Sequence, residues 1–381
     1  MNLTAVKDSL GRKIRGASLD SVQGISDYSL FKEAAVNVLN EISPAETVRY
    51  GSVEVFSDVF DYDPPDDLKE MVDIRPQTAT RDAKDNPTRR FSEYFDQRKD
   101  DNDFAIDWRD GSKTLRYSKN VGSNIGLHTM DGLATNGTWD GTAANIALNE
   151  NNPFKGSGSI MADYDTGEYI ENDDFTAVDL SDHKNKSTIF LAGYFPDASL
   201  VTSVALRWGS SSSAYFSRTR TAPQFGSFRN GWNLIPFAWN GATETGSVTT
   251  TAIDYLRITM TLSESDTDIK FDNIFSALGE VRDLAYYSNY LFRSSAGVFK
   301  EVPTADTDIV NLDIDAENIF LTECARIAAR ELQNAQLKED YTEELFGNSR
   351  SKGLYALYKN RKPDEIIRSQ TQYRRFGYTR K

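Results

Sequence analysis

From Asp27 to Ile42 the apolar positions Leu30, Ala34, Val38 and Ile42 fall four apart, with Phe31, Ala35 and Leu39 beside them. That spacing draws one stripe on a 3.6-residue period and predicts a helix, with Ser26 and Asp27 placed to cap its start. A second stripe, Leu321, Ala325, Ala328, Leu332 and Ala335, predicts a helix within "DAENIFLTECARIAARELQNAQ", with Asp315 as N-cap and Glu317 in the first turn. Elsewhere the period drops to two. "ETVRYGSVEVFSDVFDYDPPDDLKEMVDIRP" alternates in short runs around Pro64-Pro65, whose rings forbid helix and impose a turn. After a polar linker, Gln77 to Arg90, Asp110-Gly111 joins two alternating runs as a hairpin, and "AYYSNYLFRSSAGVFKEVPTADTDIVNLD" reads as a further hairpin with a loop.

Between Asn120 and Ala277 the chain turns rich in Gly, Ser, Thr and Asn. Seven short runs recur there between turn signals: "SGSIMADYD", "STIFLAGYF", "VTSVALRWG", "SAYFSRT", "GWNLIPFAW", "IDYLRITMTL" and "DIKFDNIF". Strands at that spacing without helix between them predict an all-β sandwich of jelly-roll type. The expected fold class is therefore α+β and multidomain. A mainly helical domain with short β hairpins forms from both chain ends, residues 1–125 and 279–349, the jelly roll is inserted over 126–278, and an arm follows over 350–381. Chain ends usually lie close together in a domain, which makes such an insertion cheap.

Composition narrows the function classes. A length of 381 residues allows two or three domains, and 39% hydrophobic with 12% aromatic residues describes an ordered chain. One cysteine, Cys324, excludes an intrachain disulfide framework and suggests a reducing compartment. The N-terminus carries no apolar signal segment, no run approaches the ~18 apolar residues of a membrane span, and no membrane partner is expected. The two histidines, His128 and His183, lie in polar stretches away from any plausible nucleophile, which starves Ser-His, Cys-His and zinc chemistry of groups. Phosphate-cradling glycine motifs are also missing, so the chain is expected to be neither an enzyme nor a user of cofactors. A glycosidase would need only two well-placed carboxylates, and stays open as a third reading after a structural and a glycan-binding one.

Charge is distributed unevenly. The net charge is −14, yet the last 32 residues hold ten basic groups, Arg350, Lys352, Lys359, Arg361, Lys362, Arg368, Arg374, Arg375, Arg380 and Lys381, against Asp364 and Glu365. That is a net of +8, which leaves −22 on the rest. An acidic body with a basic arm, interleaved with Tyr355, Tyr358, Tyr373 and Phe376, is suited to reach an acidic protein surface or nucleic acid; a solvated or disordered end is the alternative.

Two features bear on ligands. "ADYDTGEYIENDD" gathers Asp163, Asp165, Glu168, Glu171, Asp173 and Asp174, but Gly167 stands where an EF-hand needs an oxygen ligand. It reads as a Thr-Gly hairpin turn, or else as part of a calcium site made of loop carbonyls with Asp272. In "WNLIPFAW", Trp232, Leu234 and Pro236 share one face of a regular strand, and Ile235, Phe237 and Trp239 the other. Trp208, Tyr215, Trp232 and Trp239 are the candidates for a glycan platform. Trp232 and Trp239 cannot both belong to a single flat one, so at least one of them is core.

The run "GSGSIMADYD…FTAVDLSDHKNKSTIFLAGYFPDASLVTSVALRWGSSSSAYF…GWNLIPFAWNGATETG…AIDYLRITMT…KFDNIFSALG" resembles the carbohydrate-binding-module-like jelly roll inserted in virion proteins of tailed bacteriophages. The flanking "FKEAAVNVLNEI", "VFDYDPPDDLKEMVDI" and "CARIAARELQ" resemble phage head-to-tail adaptor proteins. The resemblance covers most of the chain as texture and order, without invariant motifs. It implies a structural virion protein of the neck, assembled in the host cytoplasm, whose adaptor domain joins a dodecameric homo-oligomeric ring between the portal protein and the tail or next neck protein. The ring would continue the channel for genomic DNA, and the basic arm would contact portal or DNA. The insert is large for an adaptor, which leaves it a role of its own as a glycan-binding accessory.

Overall fold

The computed structural model describes residues 1–14, 18–76, 104–109, 112–117 and 122–361. The chain divides into two compact units, one of Met1–Ser52, Pro65–Asn102 and Asp283–Lys381, the other of Val53–Pro64 and Asp103–Arg282. The chain passes between them within the strands Val48–Val55 and Glu280–Ser288, at Pro64-Pro65 and after Asn102.

The first unit collects five helices among the described residues, Leu3–Lys13, Ser29–Glu41, Ile314–Glu331, Ala335–Phe346 and Leu354–Arg361. Asn2 caps the first, its Oδ1 accepting from the N–H of Ala5 at 2.9 Å, while Arg12 and Lys13 complement the helix dipole at the other end. The expected stripe of the second helix is buried: Leu30, Phe31, Ala34, Ala35, Val38 and Leu39. Its start differs from expectation. Tyr28 occupies the N-cap position at φ 63°, and Asp27 instead accepts the N–H of Ser29. In the long helix Ile314–Glu331 the cap is Asp313, which accepts from Ala316 at 2.8 Å, two residues before the expected Asp315. That helix is more deeply sunk than its expected stripe. Phe320, Cys324, Ala325 and Ala328 are wholly buried, whereas Ala335 is exposed. Tyr355 and Tyr358, expected to reach outward with the basic arm, join this core at 4% and 6% exposure. Their rings bury more apolar area inward than an extended arm could.

The fold class needs correction: among the described residues 40% are strand and 23% helix, so the protein is mostly β and not mainly helical. The cause is long-range pairing. Val48–Val55 and Leu68–Pro76, read as isolated short runs, flank Glu280–Ser288 in a three-stranded sheet, and Phe292–Arg293 pairs with both Phe299–Lys300 and Ile309–Val310.

The second unit is a β-sandwich. One sheet orders its strands Gly231–Ala238, Ser187–Phe195, Asp266–Leu278, Ser159–Tyr164 and Ala144–Asn149, with Asn124–His128 also paired to Asp266–Leu278. The other runs Thr243–Thr245, Ala214–Arg220, Val201–Ser211, Tyr255–Leu262, Tyr169–Asn172 and Asp140–Gly141. Among the described residues the strands of both sheets pair antiparallel throughout. Alternation turns Leu206, Trp208, Ile235, Phe237, Ile258 and Phe271 into one shared core. The outer side of the first sheet is covered in part by a further layer, where Phe190 stacks on Phe275 at 5.3 Å and Phe56 meets Phe190 edge-on at 5.1 Å. The strands Phe104–Arg109 and Ser112–Tyr117 pair with Arg109 opposite Ser112, and Asp61–Tyr62 adds to their sheet. The linker Gln77 to Arg90 lies outside the described residues.

"YDTGEY" is not a hairpin turn. Ser159–Tyr164 and Tyr169–Asn172 belong to different sheets, so the turn at Gly167, φ 87°, carries the chain across the sandwich. Two adjacent strands look like a hairpin in sequence, and only the partners of each reveal the crossover. Among the described residues no helix is long and apolar enough to cross a membrane.

Candidate functional site

The four aromatic candidates separate into three places. Trp208 and Trp239 are 0% and 1% exposed and pack edge to face at 5.6 Å, with the Phe216 ring 6.0 Å from Trp208 and 5.1 Å from Trp239. Neither ring leaves a face for a sugar, so both are corrected to core. Alternation from Leu206 and from Phe237 drives them inward. Tyr215 lies on the outer face of one sheet and Trp232 on the outer face of the other.

On the sheet of Tyr215, the residues opposite in parity to the core form a connected carpet. Gly209 pairs with Tyr215 on one neighbouring strand and with Tyr255 on the other. A Cβ at Gly209 would lie 2.5 Å from Tyr215 Cα. The missing side chain lets the two tyrosine rings approach to 6.2 Å across it. The Arg207 guanidinium sits 4.6 Å from the Tyr215 ring centre, and that of Arg257 sits 3.2 Å from the Tyr169 ring centre. Tyr255 donates to Glu171 Oε2 at 3.0 Å, and burial followed by this carboxylate raises its phenol to about 12. The Tyr255 ring is thereby held beneath the surface at 0% exposure, with Tyr169, Tyr215, Arg207, Arg257 and Glu171 half-buried above and around it. Of this set the sequence offers Tyr215 as a glycan candidate and Glu171 only as one carboxylate of an acidic run. The outward parity of Arg207, Tyr255 and Arg257 in "ALRWG" and "YLRITMTL" is the signal that could have found the others.

On the other sheet, Trp232 opens into a cleft of ≈ 490 Å³. Its indole N–H donates to the carbonyl of Asn152 at 3.0 Å, and its ring meets Tyr194 at 5.5 Å and Phe154 at 5.6 Å. Phe60, Phe154 and Phe225 add aromatic wall, Phe60 and Phe154 being 44% and 41% exposed. Two ion pairs stand among the lining residues, Arg116 with Asp61 at 3.2 Å and Lys155 with Asp58 at 3.4 Å. Asn233, buried beneath, ties both the N–H and the carbonyl of Arg229 and the carbonyl of Gly231, which holds the turn before Trp232. These walls come from residues 58–61, 116, 154–155, 223–225 and 273, a convergence that no local pattern encodes.

Asp272 anchors the same cleft. It is wholly buried, and its Oδ2 accepts the N–H of Lys155 at 2.9 Å, fixing the loop that carries Phe154. Burial, with the like charge of Asp131 as a lesser cause, raises its carboxyl to about 6. Its Oδ1 has no hydrogen-bond partner, which is the atom a cation held by loop carbonyls would use. Among the described residues no group of three His, Cys, Asp or Glu assembles to join it.

Both histidines are buried, contrary to their polar sequence surroundings. His128 Nδ1 accepts the N–H of Met130 at 2.9 Å, and Nε2 lies 2.8 Å from the carbonyl of Asn136, which fixes the neutral Nε2–H form. His183 Nδ1 lies 2.9 Å from Ser276 Oγ, a serine neighbour that sequence did not show. Ser276 is 0% exposed and donates to Ser187 at 2.8 Å, so the imidazole is the donor to it and no base for a nucleophile.

Burial lowers the pKa of both histidines below the ordinary 6.5. The unfolded chain then binds more protons, so stability is level above pH 6.5 and falls as pH drops through it. Asp272 acts in the opposite sense, its burial cost being complete above about pH 6 and relieved as pH falls towards 3.8. The thermal midpoint of the sandwich is expected to drop between pH 7.5 and 5.5. The double variant His128→Gln/His183→Gln should flatten that slope in a scan of midpoint against pH.

Of the basic groups, Arg350 and Lys352 are exposed, Lys359 approaches Glu41 at 3.5 Å and Arg361 ends the last helix. Lys362, Arg368, Arg374, Arg375, Arg380 and Lys381 lie outside the described residues.

The chain matches no family model and no curated protein sequence. Solved structures similar to it include carbohydrate-binding modules and a glycoside hydrolase domain, Endo-D from Streptococcus pneumoniae R6. One, described for the promiscuous specificity of modules from the β-sandwich superfamily, is 16% identical over 45% of this chain and 70% of its own, at a TM-score of 0.28. A C-terminal family 22 module of Clostridium thermocellum Xyn10B is 15% identical over 40% and 91%, at 0.26. A family 11 module of Clostridium thermocellum, in complex with a β-1,3-1,4-mixed-linked tetrasaccharide, is 12% identical over 42% and 96%, at 0.28. At these scores the likeness carries no weight for ligand or site, which rest on the residues of this chain.

Proposed function

We propose that the β-sandwich is a glycan-binding module whose ligand lies along the sheet face of Tyr169 and Tyr215, above the buried Tyr255. The observation that carries the reading is the pair of half-buried tyrosines each met by a guanidinium, Tyr215 by Arg207 and Tyr169 by Arg257, with Glu171 opposite Arg257 on the neighbouring strand. Pyranose rings present flat C–H faces that stack on aromatics, and their hydroxyls need donors and acceptors held at fixed positions beside the ring. Guanidinium groups anchored on tyrosines and a carboxylate held by a phenol provide both. The activity is binding rather than catalysis. No feature of the folded chain speaks for the neck-adaptor expectation.

In a glycan array followed by calorimetry on the full chain, Tyr215→Ala and Arg257→Ala should each weaken binding at least tenfold, or about 1.4 kcal/mol, with an unchanged circular dichroism spectrum. Binding that is indifferent to both substitutions would remove this face as the site.

A further inference from the structure

We propose that the Trp232 cleft is a second carbohydrate site, on the opposite sheet, for a short stretch of a neutral oligosaccharide. It goes beyond the tyrosine face and does not rest on it. The cleft's ≈ 490 Å³ falls within the range of small-ligand sites, roughly 300–1,000 Å³. Its aromatic wall is built rather than incidental. Trp232 is tethered through its N–H to Asn152, braced edge-on by Tyr194, and faced by Phe154 on a loop that the buried Asp272 holds down.

The charges select the ligand class. Asp61 is matched by Arg116 and Asp58 by Lys155, so four of the five charged lining residues cancel in pairs. An anionic ligand would compete with Asp61 and Asp58 for Arg116 and Lys155, and a metal ion would meet Arg116, Lys155 and Arg229. A neutral sugar instead uses paired groups as they stand, its hydroxyls accepting from the cation and donating to the carboxylate. Gln224 and Asn273 add amide groups of the same two-way kind. A wholly apolar ligand would leave these groups desolvated without partners.

The test is fluorescence and calorimetry on the full chain with neutral hexasaccharides of glucose, xylose and mannose. Of the five tryptophans, Trp139, Trp208 and Trp239 are buried and Trp108 is 65% exposed, so Trp108→Phe leaves Trp232 as the one indole that a ligand can reach. A sugar that binds should shift the emission of Trp108→Phe saturably, with two sites per chain. Trp232→Ala and, as a milder probe of the same wall, Phe154→Ala should each lower the count to one, while Tyr215→Ala removes the other site. A site count unchanged in both cleft variants, or a silent indole with every sugar, overturns the second site and leaves the tyrosine face standing. Binding lost in the cleft variants yet untouched by Tyr215→Ala supports the second site and overturns the first.

Discussion

Trp239→Ala is expected to lower the stability of the sandwich by roughly 3–5 kcal/mol. The side chain is 1% exposed and meets Trp208 and Phe216 at 5.6 and 5.1 Å, so truncation removes a large buried surface and leaves a cavity between the sheets. Such changes cost roughly 3–5 kcal/mol, a large part of the ~5–15 kcal/mol that holds a domain. Trp232→Ala, seven residues away on the same segment, should cost under about 1.5 kcal/mol because its ring lies at a cleft and loses one hydrogen bond. Urea melts of the two variants decide the matter. A Trp239→Ala protein as stable as the parent would place that ring outside the core.

The second large effect lies in the helical unit. Glu323 is 1% exposed in the middle of Ile314–Glu331, where its carboxylate accepts from Asn37 at 2.7 Å and from Arg326 at 2.5 and 3.0 Å. Glu323→Ala removes a buried anion but leaves Arg326 and Asn37 with donors facing inward, a loss of about 3 kcal/mol, tempered because Arg326 is 23% exposed. Glu323→Gln keeps an acceptor for Asn37 and should cost about half as much. Differential scanning calorimetry should show the loss in one transition only, since each unit has a separate core cluster. An equal shift of all transitions would mean that the chain melts as one block.

The histidines show how sequence surroundings mislead. "GLHTM" and "SDHKN" look solvated, yet both rings are buried, because the backbone groups of Met130 and Asn136 and the hydroxyl of Ser276 satisfy them. Hydrogen-bond partners of that kind come from the folded arrangement, so a polar neighbourhood in sequence does not predict exposure.

Legible along the chain was whatever repeats in it. The stripe Leu30, Ala34, Val38 marked a helix, the seven alternating runs marked sandwich strands, and the parity of "WNLIPFAW" set Trp239 on one face and Trp232 on the other. Periodicity is a local property, and side chains two or three to four residues apart share a face whatever lies beyond. Tertiary structure decided which strands are partners, and with that the balance of β over helix, the crossover at Gly167 and both candidate sites. Tyr169, Arg207, Tyr215 and Tyr255 come from four strands, and Phe60, Phe154 and Trp232 from segments up to 172 positions apart. Their meeting depends on register between distant segments, which is set by the packing of the whole core and written in no single stretch of it.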